Sequence, residues 1–316
     1  MRVLSLFCGC GGLDKGFDET GYNIVWANDF DKYAVETYKA NFGDNVILGD
    51  INEIELNSLP EFDVLIGGFP CQPFSMMGAE KGFEDTRGTL FFRIAEILKY
   101  KIDQGRKPRT VILENVRSLR THNKGKTFKT IKRVLENELN YKVFDQVLNT
   151  ADYGIPQTRN RTYIVCFAND NAEFEFPDKQ ELNLTLQDLL ETEVDDKYFL
   201  SERILPTILS DGTGGYKAKS EIDLKIARPL CATMAKMHRA CQDNYVTQNN
   251  RVRRLTPREC ARLQGFPDDF VIPVSDSQAY KQFGNAVTVN VSKGERRNVH
   301  GKEKRSVCKD TYKTTT

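Results

Sequence analysis

Cysteine pairs at the C-x-x-C spacing are missing from this 316-residue chain. Its eight cysteines, at positions 8, 10, 71, 166, 231, 241, 260 and 308, follow no regular interval. This disfavours a disulfide framework and a zinc site and fits a reduced, intracellular setting. No metal is expected. Long apolar runs are missing too: the stretch Val3-Leu4-Ser5-Leu6-Phe7-Cys8 after Arg2 is too short for a secretion signal and glycines break it at once. Nothing approaches the length that spans a bilayer. Net charge is only +1, so bulk composition announces no partner. A dinucleotide fingerprint is incomplete, because Gly9 and Gly11 are followed by Asp14 where G-x-G-x-x-G needs its third glycine. A ligand without phosphates is favoured there over NAD.

The charge that is present is segregated. Residues 169–203 hold eleven acidic and three basic side chains, whereas residues 215–262 hold eleven basic and four acidic. A phosphate-facing surface belongs in the second block. The chain is long enough for one large core and a second, small domain.

Short apolar runs alternating with helical periodicity give an α/β reading. Residues 2–7 read as a buried strand feeding the loop Cys8-Gly9-Cys10-Gly11-Gly12, then a helix carrying Leu13 and Phe17. A second strand, Tyr22 to Ala27, ends in Asn28-Asp29-Phe30. Asp29 therefore stands about 20 positions past the glycines, where a carboxylate binds ribose at the carboxyl edge of a doubly wound sheet. Val46-Ile47-Leu48 is the third strand and closes on Gly49-Asp50-Ile51. Val64-Leu65-Ile66 is the fourth, and it runs into Gly67-Gly68-Phe69-Pro70-Cys71-Gln72-Pro73-Phe74-Ser75. There the glycine pair lets backbone approach a ligand, and proline sets the turn that aims the next side chain outward. Cys71 is thus mounted as a nucleophile, although a lone free cysteine is more often a small buried hydrophobe.

Residues 75–89 are glycine-rich and polar, a segment able to close over a bound partner. Phe91, Ile94, Ile97 and Leu98 then repeat at helical spacing. Thr110-Val111-Ile112-Leu113 is the next strand and ends in Glu114-Asn115-Val116. A carboxylate at that poorly solvated sheet edge has its pKa pushed upward. A helix over 127–139 and strands over 142–148 and 162–167 complete the sheet. Gln157-Thr158-Arg159-Asn160-Arg161 precedes the last strand, and two arginines two apart in extended chain point the same way.

Taken in order, Phe7 to Gly12, Gly67 to Ser75, Glu114-Asn115-Val116, Gln157 to Arg161 and Gly284-Asn285-Ala286-Val287 resemble motifs of the DNA cytosine-5 methyltransferases of bacterial restriction-modification systems. The resemblance spans residues 3–291. Methyltransferases that act on amino groups place Asp or Asn, Pro-Pro and an aromatic at the Cys71 turn, and this chain has no such tetrapeptide. The resemblance implies a doubly wound, Rossmann-like S-adenosylmethionine-dependent methyltransferase domain over 1–175 plus 284–291, and a smaller, irregular target-recognition domain over 176–283. It implies S-adenosylmethionine as cofactor, surrounded by Phe7, Gly9, Gly11, Gly12, Ile51, Pro70, Leu90, Asn285 and Val287. Asp29 is implied to hold the ribose hydroxyls, Phe30 to stack on the adenine, and Asp50 to accept from the adenine amino group. The family usually carries Glu at the ribose position, one methylene longer than Asp29. For the chemistry it implies attack by Cys71 on cytosine C6, protonated Glu114 at N3, and Arg161 at O2 with Arg159 in support. The target base must then leave the stack.

In the recognition region the candidate DNA contacts are Arg228, Thr233, Lys236, His238, Arg239, Gln242 and Asn244, with Gln72 and Ser75 beside the cysteine. Arg can pair with guanine, and Asn or Gln with adenine. A short helix is predicted after Arg254, with Thr256 as cap, Pro257 at its first position, Glu259 closing a capping box and Gly265 as its stop. After Val291 the sequence departs from the family. Residues 292–316 carry eight basic and three acidic side chains and no amphipathic stripe, which predicts a loose basic tail and a partly uncovered sheet face. The resulting expectation is a monomeric prokaryotic enzyme, cytoplasmic and nucleoid-associated, that modifies double-stranded DNA and pairs functionally with a restriction endonuclease. No membrane is involved. An RNA cytosine-5 methyltransferase and a DNA-binding form impaired by its unusual C-terminus are the alternatives; the long stretch between Gln157 and Gly284 favours DNA.

Overall fold

The computed structural model of the chain describes residues 1–70, 90–211 and 218–293. Cys71, Gln72, Ser75, the segment 75–89 and the tail from 294 lie outside the described residues.

Runs of Val, Ile and Leu form the sheet strands expected of β-branched and apolar sequence. The order is β1 (Arg2–Leu6), α1 (Gly12–Asp18), β2 (Asn23–Asp29), α2 (Lys32–Phe42), β3 (Val46–Leu48), β4 (Val64–Gly68), α3 (Leu90–Asp103), β5 (Thr110–Val116), α4 (Lys126–Arg133), β6 (Lys142–Asn149) and β7 (Asn160–Phe167). Seven strands make one sheet in the order β3-β2-β1-β4-β5-β7-β6. Strands β1 to β5 pair in parallel, and β7 inserts antiparallel between β5 and β6. This is the doubly wound α/β architecture, closed on one side by an antiparallel pair.

Alternation along each strand sorts the core into two layers. Leu4, Leu6, Leu65, Val111, Leu113 and Ile164 face α3 and α4. Val3, Val64, Ile66, Ile112 and Val165 face α1 and α2. Ile94, Ile97 and Leu98 of α3 are wholly buried, each worth about 1.5–3 kcal/mol of transfer free energy. The helix expected over 127–139 changes character midway: α4 ends at Arg133 and a π-helical turn covers Val134–Glu138. The amide of Leu139 reaches back to Val134 O at 3.0 Å, which keeps both Leu135 and Leu139 in the core.

The remaining elements are α5 (Leu205–Leu209), a hairpin of β8 (Tyr245–Gln248) and β9 (Arg251–Arg254), α6 (Pro257–Arg262) and α7 (Asp276–Asn285). Asn249 and Asn250 turn the hairpin at φ 51° and 60°, a left-handed pair that Asn tolerates. Leu186, Val246, Leu255, Cys260, Leu263, Phe266 and Phe283 share a third apolar cluster. Within it Arg253 and Glu259 form an ion pair with no exposure of either side chain, at 2.6 Å. The pair is saturated: Glu259 also accepts from the amides of Thr256 and Glu191, while Arg253 donates to Gln248 Oε1 and Arg254 O. The capping box of Thr256 and Glu259 forms at the head of α6, with Pro257 at its first position. Gly265, at φ 78°, lies beyond its end.

Ser292 and Lys293 depart from the loose-tail expectation. Residues 289–293 are helical, and Ser292 is fully buried, its Oγ donating to Val289 O at 2.7 Å. The reason lies in α1: a Cβ on Gly16 would sit 1.9 Å from Ser292 Oγ, so glycine there admits the returning chain.

Candidate active site

The chain runs outward from β1 through β2 to β3, then returns to β4 and leaves in the other direction. The carboxyl ends of β1 and β4 are therefore the switch point where open α/β sheets bind ligands. A cavity of about 570 Å³ opens there, within the range of pockets for drug-sized ligands. Its walls are the loop after β1, Asp29 to Asp31, Gly68 to Pro70, the end of β5, both arginines at the head of β7, and the 284–287 turn after α7.

At one end the glycine loop wraps a carboxylate. Phe7 and Gly9 take φ 54° and 57°, and the amide of Gly9 donates to Asp29 Oδ2 at 2.8 Å. The amide of Asp31 donates to the other oxygen at 2.8 Å. Each oxygen keeps a lone pair for a ligand hydroxyl, and burial pushes the carboxyl pKa up. Beside it Phe30 stands on the wall with 72% of its surface exposed, an open ring face of the kind that stacks on a heteroaromatic. Leu90, Asn285 and Val287 line the same space. Gly12 cannot carry a side chain, because a Cβ would lie 2.2 Å from Val287 O.

Three sequence candidates are not on this wall. Gly11 serves the backbone, at φ 92° and with a Cβ that would strike Phe42 at 2.2 Å. Asp50 is exposed and caps its own turn, Oδ1 accepting from the amide and side chain of Asn52 at 2.9 Å. Ile51 is buried in the core with α3. Sequence reading missed Lys281, which pairs with Asp31 at 2.5 Å on the cavity wall; its signal was the cation four residues before Asn285.

At the other end Glu114 and Arg161 meet. In the antiparallel register Glu114 opposes Tyr163 and Val116 opposes Arg161, so the pair are diagonal neighbours on one face, within reach of long side chains. Arg161 Nε lies 3.1 Å from Glu114 Oε1. Burial raises the Glu114 pKa, and the charges of Arg161 and Arg159 oppose that rise only in part. Gly68 lies beside the carboxylate: a Cβ there would stand 3.4 Å from Glu114 Oε2, in ordinary contact. Asn115 donates to Phe69 O at 2.7 Å, tying the end of β5 to the backbone one residue before Pro70.

Arg159, on the same wall, is tied to other parts of the chain, while its Nε finds no partner among the described residues. It is 2% exposed, and its guanidinium donates to Leu230 O, Gly284 O and Ala286 O at 2.9–3.1 Å. Through Nη1 and Nη2 it clamps the segment at Leu230 and the α7 turn to the sheet, and its charge bears on Glu114. Gln157 adds to the clamp, donating to Leu263 O at 2.6 Å and accepting from the amide of Leu230 at 2.9 Å.

The candidate base readers divide the same way. Asn244 spends its amide on the backbone of Arg228, at 2.8 and 3.0 Å. Arg228 is held by Glu221 and His238 by Asp243, and Arg239 is half-buried. Thr233, Lys236 and Gln242 are exposed, with no side-chain hydrogen bond or ion pair among the described residues. They are the ones free to meet a partner. Among the described residues there is no cluster that could hold a metal ion, and no helix long and apolar enough to cross a membrane.

Comparison with known proteins gives this geometry a context. The family model of C-5 cytosine-specific DNA methylases matches residues 1–299. The Type II methyltransferase M1.ScrFI of Lactococcus lactis subsp. cremoris is 42% identical over 302 residues, covering 91% of this chain and 75% of that one. The Type II methyltransferase M.HhaI of Haemophilus parahaemolyticus is 41% identical, covering 92% and 91%. Among solved structures, the Dnmt2 methyltransferase of S. pombe superposes with a TM-score of 0.75 at 22% identity, covering 93% of this chain and 96% of that one; this is a likeness of fold. The chain belongs to the C-5 cytosine-specific DNA methylase family and is a DNA cytosine-5 methyltransferase.

Proposed function

We propose that the enzyme modifies a cytosine flipped out of a short specific duplex sequence, through a covalent bond from Cys71 to C6, and so protects DNA from a cognate restriction endonuclease. The observation that carries the reading is the Glu114–Arg161 pair, held 3.1 Å apart on the wall of the switch-point cavity. Cytosine C5 is a feeble nucleophile, so a thiolate at C6 must first turn the ring into an enamine. Glu114, whose burial favours the protonated form, donates to N3, and Arg161 holds O2; both stabilise the charge that the attack develops. Once C5 has taken a methyl group, loss of its proton to a base re-forms the C5–C6 double bond, breaks the S–C6 bond and returns the thiolate.

The residues present fit S-adenosylmethionine. Asp29 offers two oxygens to ribose hydroxyls, Phe30 offers a ring face to adenine, and Gly12, Asn285 and Val287 wall the remainder. When bound, that cofactor supplies the methyl group. A monomer acting in a prokaryotic cytoplasm completes the proposal.

Incubation with labelled cofactor and mixed DNA, followed by mapping of modified cytosines, tests it. Label at cytosine C5 of one duplex sequence, lost in Cys71→Ser with DNA binding retained, is the expected result. Label on RNA alone, or on cytosine N4, sinks it.

A further inference from the structure

One charged surface has no part in the chemistry above. From 115 to 135 the chain has no acidic residue, yet it carries seven lysines and arginines. Three are neutralised, Arg120 and Lys132 by Asp145 and Arg133 by Glu138. The other four, Arg117, Lys124, Lys126 and Lys129, are exposed and meet no carboxylate among the described residues.

Their placement is not arbitrary. Arg117 follows Val116, which lines the cavity and lies opposite Arg161 in the sheet register. The 3-10 turns Arg117–Arg120 and His122–Gly125 keep the chain at the carboxyl edge of β5 before α4 begins. Asn123 and Lys124 sit at φ 50° and 53°, a left-handed pair at the turn. Lys126 and Lys129 stand three apart on α4, both exposed, an arrangement of like charges that weakens a helix unless a counter-charge is supplied. These cations lie outside the basic block of residues 215–262.

We propose that Arg117, Lys124, Lys126 and Lys129 grip the sugar-phosphate backbone of duplex DNA flanking the target site. The proposal rests on the reading that the substrate is duplex DNA. A duplex presents one negative charge per about 1.7 Å of axis, a counter-charge for these four exposed cations that follow the cavity-lining Val116. Contacts of this kind position the duplex and carry no sequence information.

The test is fluorescence anisotropy of the full chain across a salt series, on random-sequence duplexes of about 12 and about 36 base pairs, where each lost phosphate contact removes about 0.9 from the slope of log K against log salt. The triple variant Lys124→Gln, Lys126→Gln, Lys129→Gln is expected to lower that slope by about 2–3 on the long duplex and leave it unchanged on the short one. Its melting temperature and cofactor binding should match the parent's, and Lys→Arg at the same positions should restore the slope. An unchanged slope on the long duplex overturns the proposal, as does an equal loss on both lengths. If the parent methylates DNA while the variant's slope is unchanged, only this inference fails. If the parent binds neither duplex and labels no DNA, the reading beneath it fails as well.

Discussion

Arg161 Nε stands 3.1 Å from Glu114 Oε1, and the two reach each other only because β7 runs antiparallel beside β5. The arginine opposes protonation of the carboxyl while burial favours it, and burial prevails. A carboxyl poised in this way can serve as a proton donor.

Replacing Glu114 by Gln is expected to lower the single-turnover rate of methyl transfer by about 10²–10⁴-fold, with DNA affinity nearly unchanged. Because the Glu114 pKa is raised, the active, protonated form is lost as pH climbs through it. The alkaline limb of the rate profile that belongs to this residue should vanish in Glu114→Gln. A variant with parental rates and an unchanged profile would remove Glu114 from the chemistry.

Phe30→Ala tests the stacking platform. The ring is 72% exposed, so its removal should leave the melting temperature of the free protein in place, while cofactor binding weakens by about 2–12-fold, corresponding to about 0.5–1.5 kcal/mol. Calorimetric titration beside a thermal melt separates the two effects. Equal affinity in the variant would place the adenine elsewhere.

Asp14 ties α1 to β1 and α2, accepting from Ser5 Oγ at 3.0 Å and Tyr38 Oη at 2.8 Å. Burial raises its pKa to about 6, against the help its hydrogen bonds give the charged form. The native state therefore holds this proton more tightly than the unfolded chain, whose value is about 3.9. Stability falls as pH rises through that window. Asp14→Asn escapes the penalty, and urea unfolding should show it gaining on the parent between pH 4 and pH 7, by up to ~3 kcal/mol. A pH-independent difference would mean that Asp14 titrates in the native state as it does in the unfolded chain.

Breaking the buried pair of Arg253 and Glu259 should be costly. Glu259→Gln strands a guanidinium with no exposure, at an expected loss of about 3–5 kcal/mol in chemical denaturation. Replacing both partners by apolar side chains of similar volume should cost much less. The opposite ranking would show that the charge, and not its pairing, sustains the fold of this region.

The sheet strands, the glycine loop after β1 and the capping box at Thr256 were legible in the sequence because each depends on residues within a few positions of one another. Alternating Val, Ile and Leu can bury a strand only one way round, and Thr256 with Glu259 satisfies amides of its own first turn. The candidacy of Cys71, Glu114 and Arg161 came from a likeness of motif, and the structure brings Glu114 and Arg161 together. What was not legible was where polar groups would find their partners. Arg159 resembled a helper of Arg161, yet its donors reach carbonyls up to 127 positions away. Asn244 looked like a reader of adenine, yet Arg228 backbone takes its amide. Asp50 looked like a ligand for adenine, yet it caps the turn that it begins.

Local propensity thus dictates the elements of this protein and the residue types at its cavity. Which side chains remain free for ligand and DNA is settled by the insertion of β7 and the return of α7 to the β1 edge. The physical reason is that most buried donors find an acceptor, and over long separations only the packed chain determines which acceptor lies within reach.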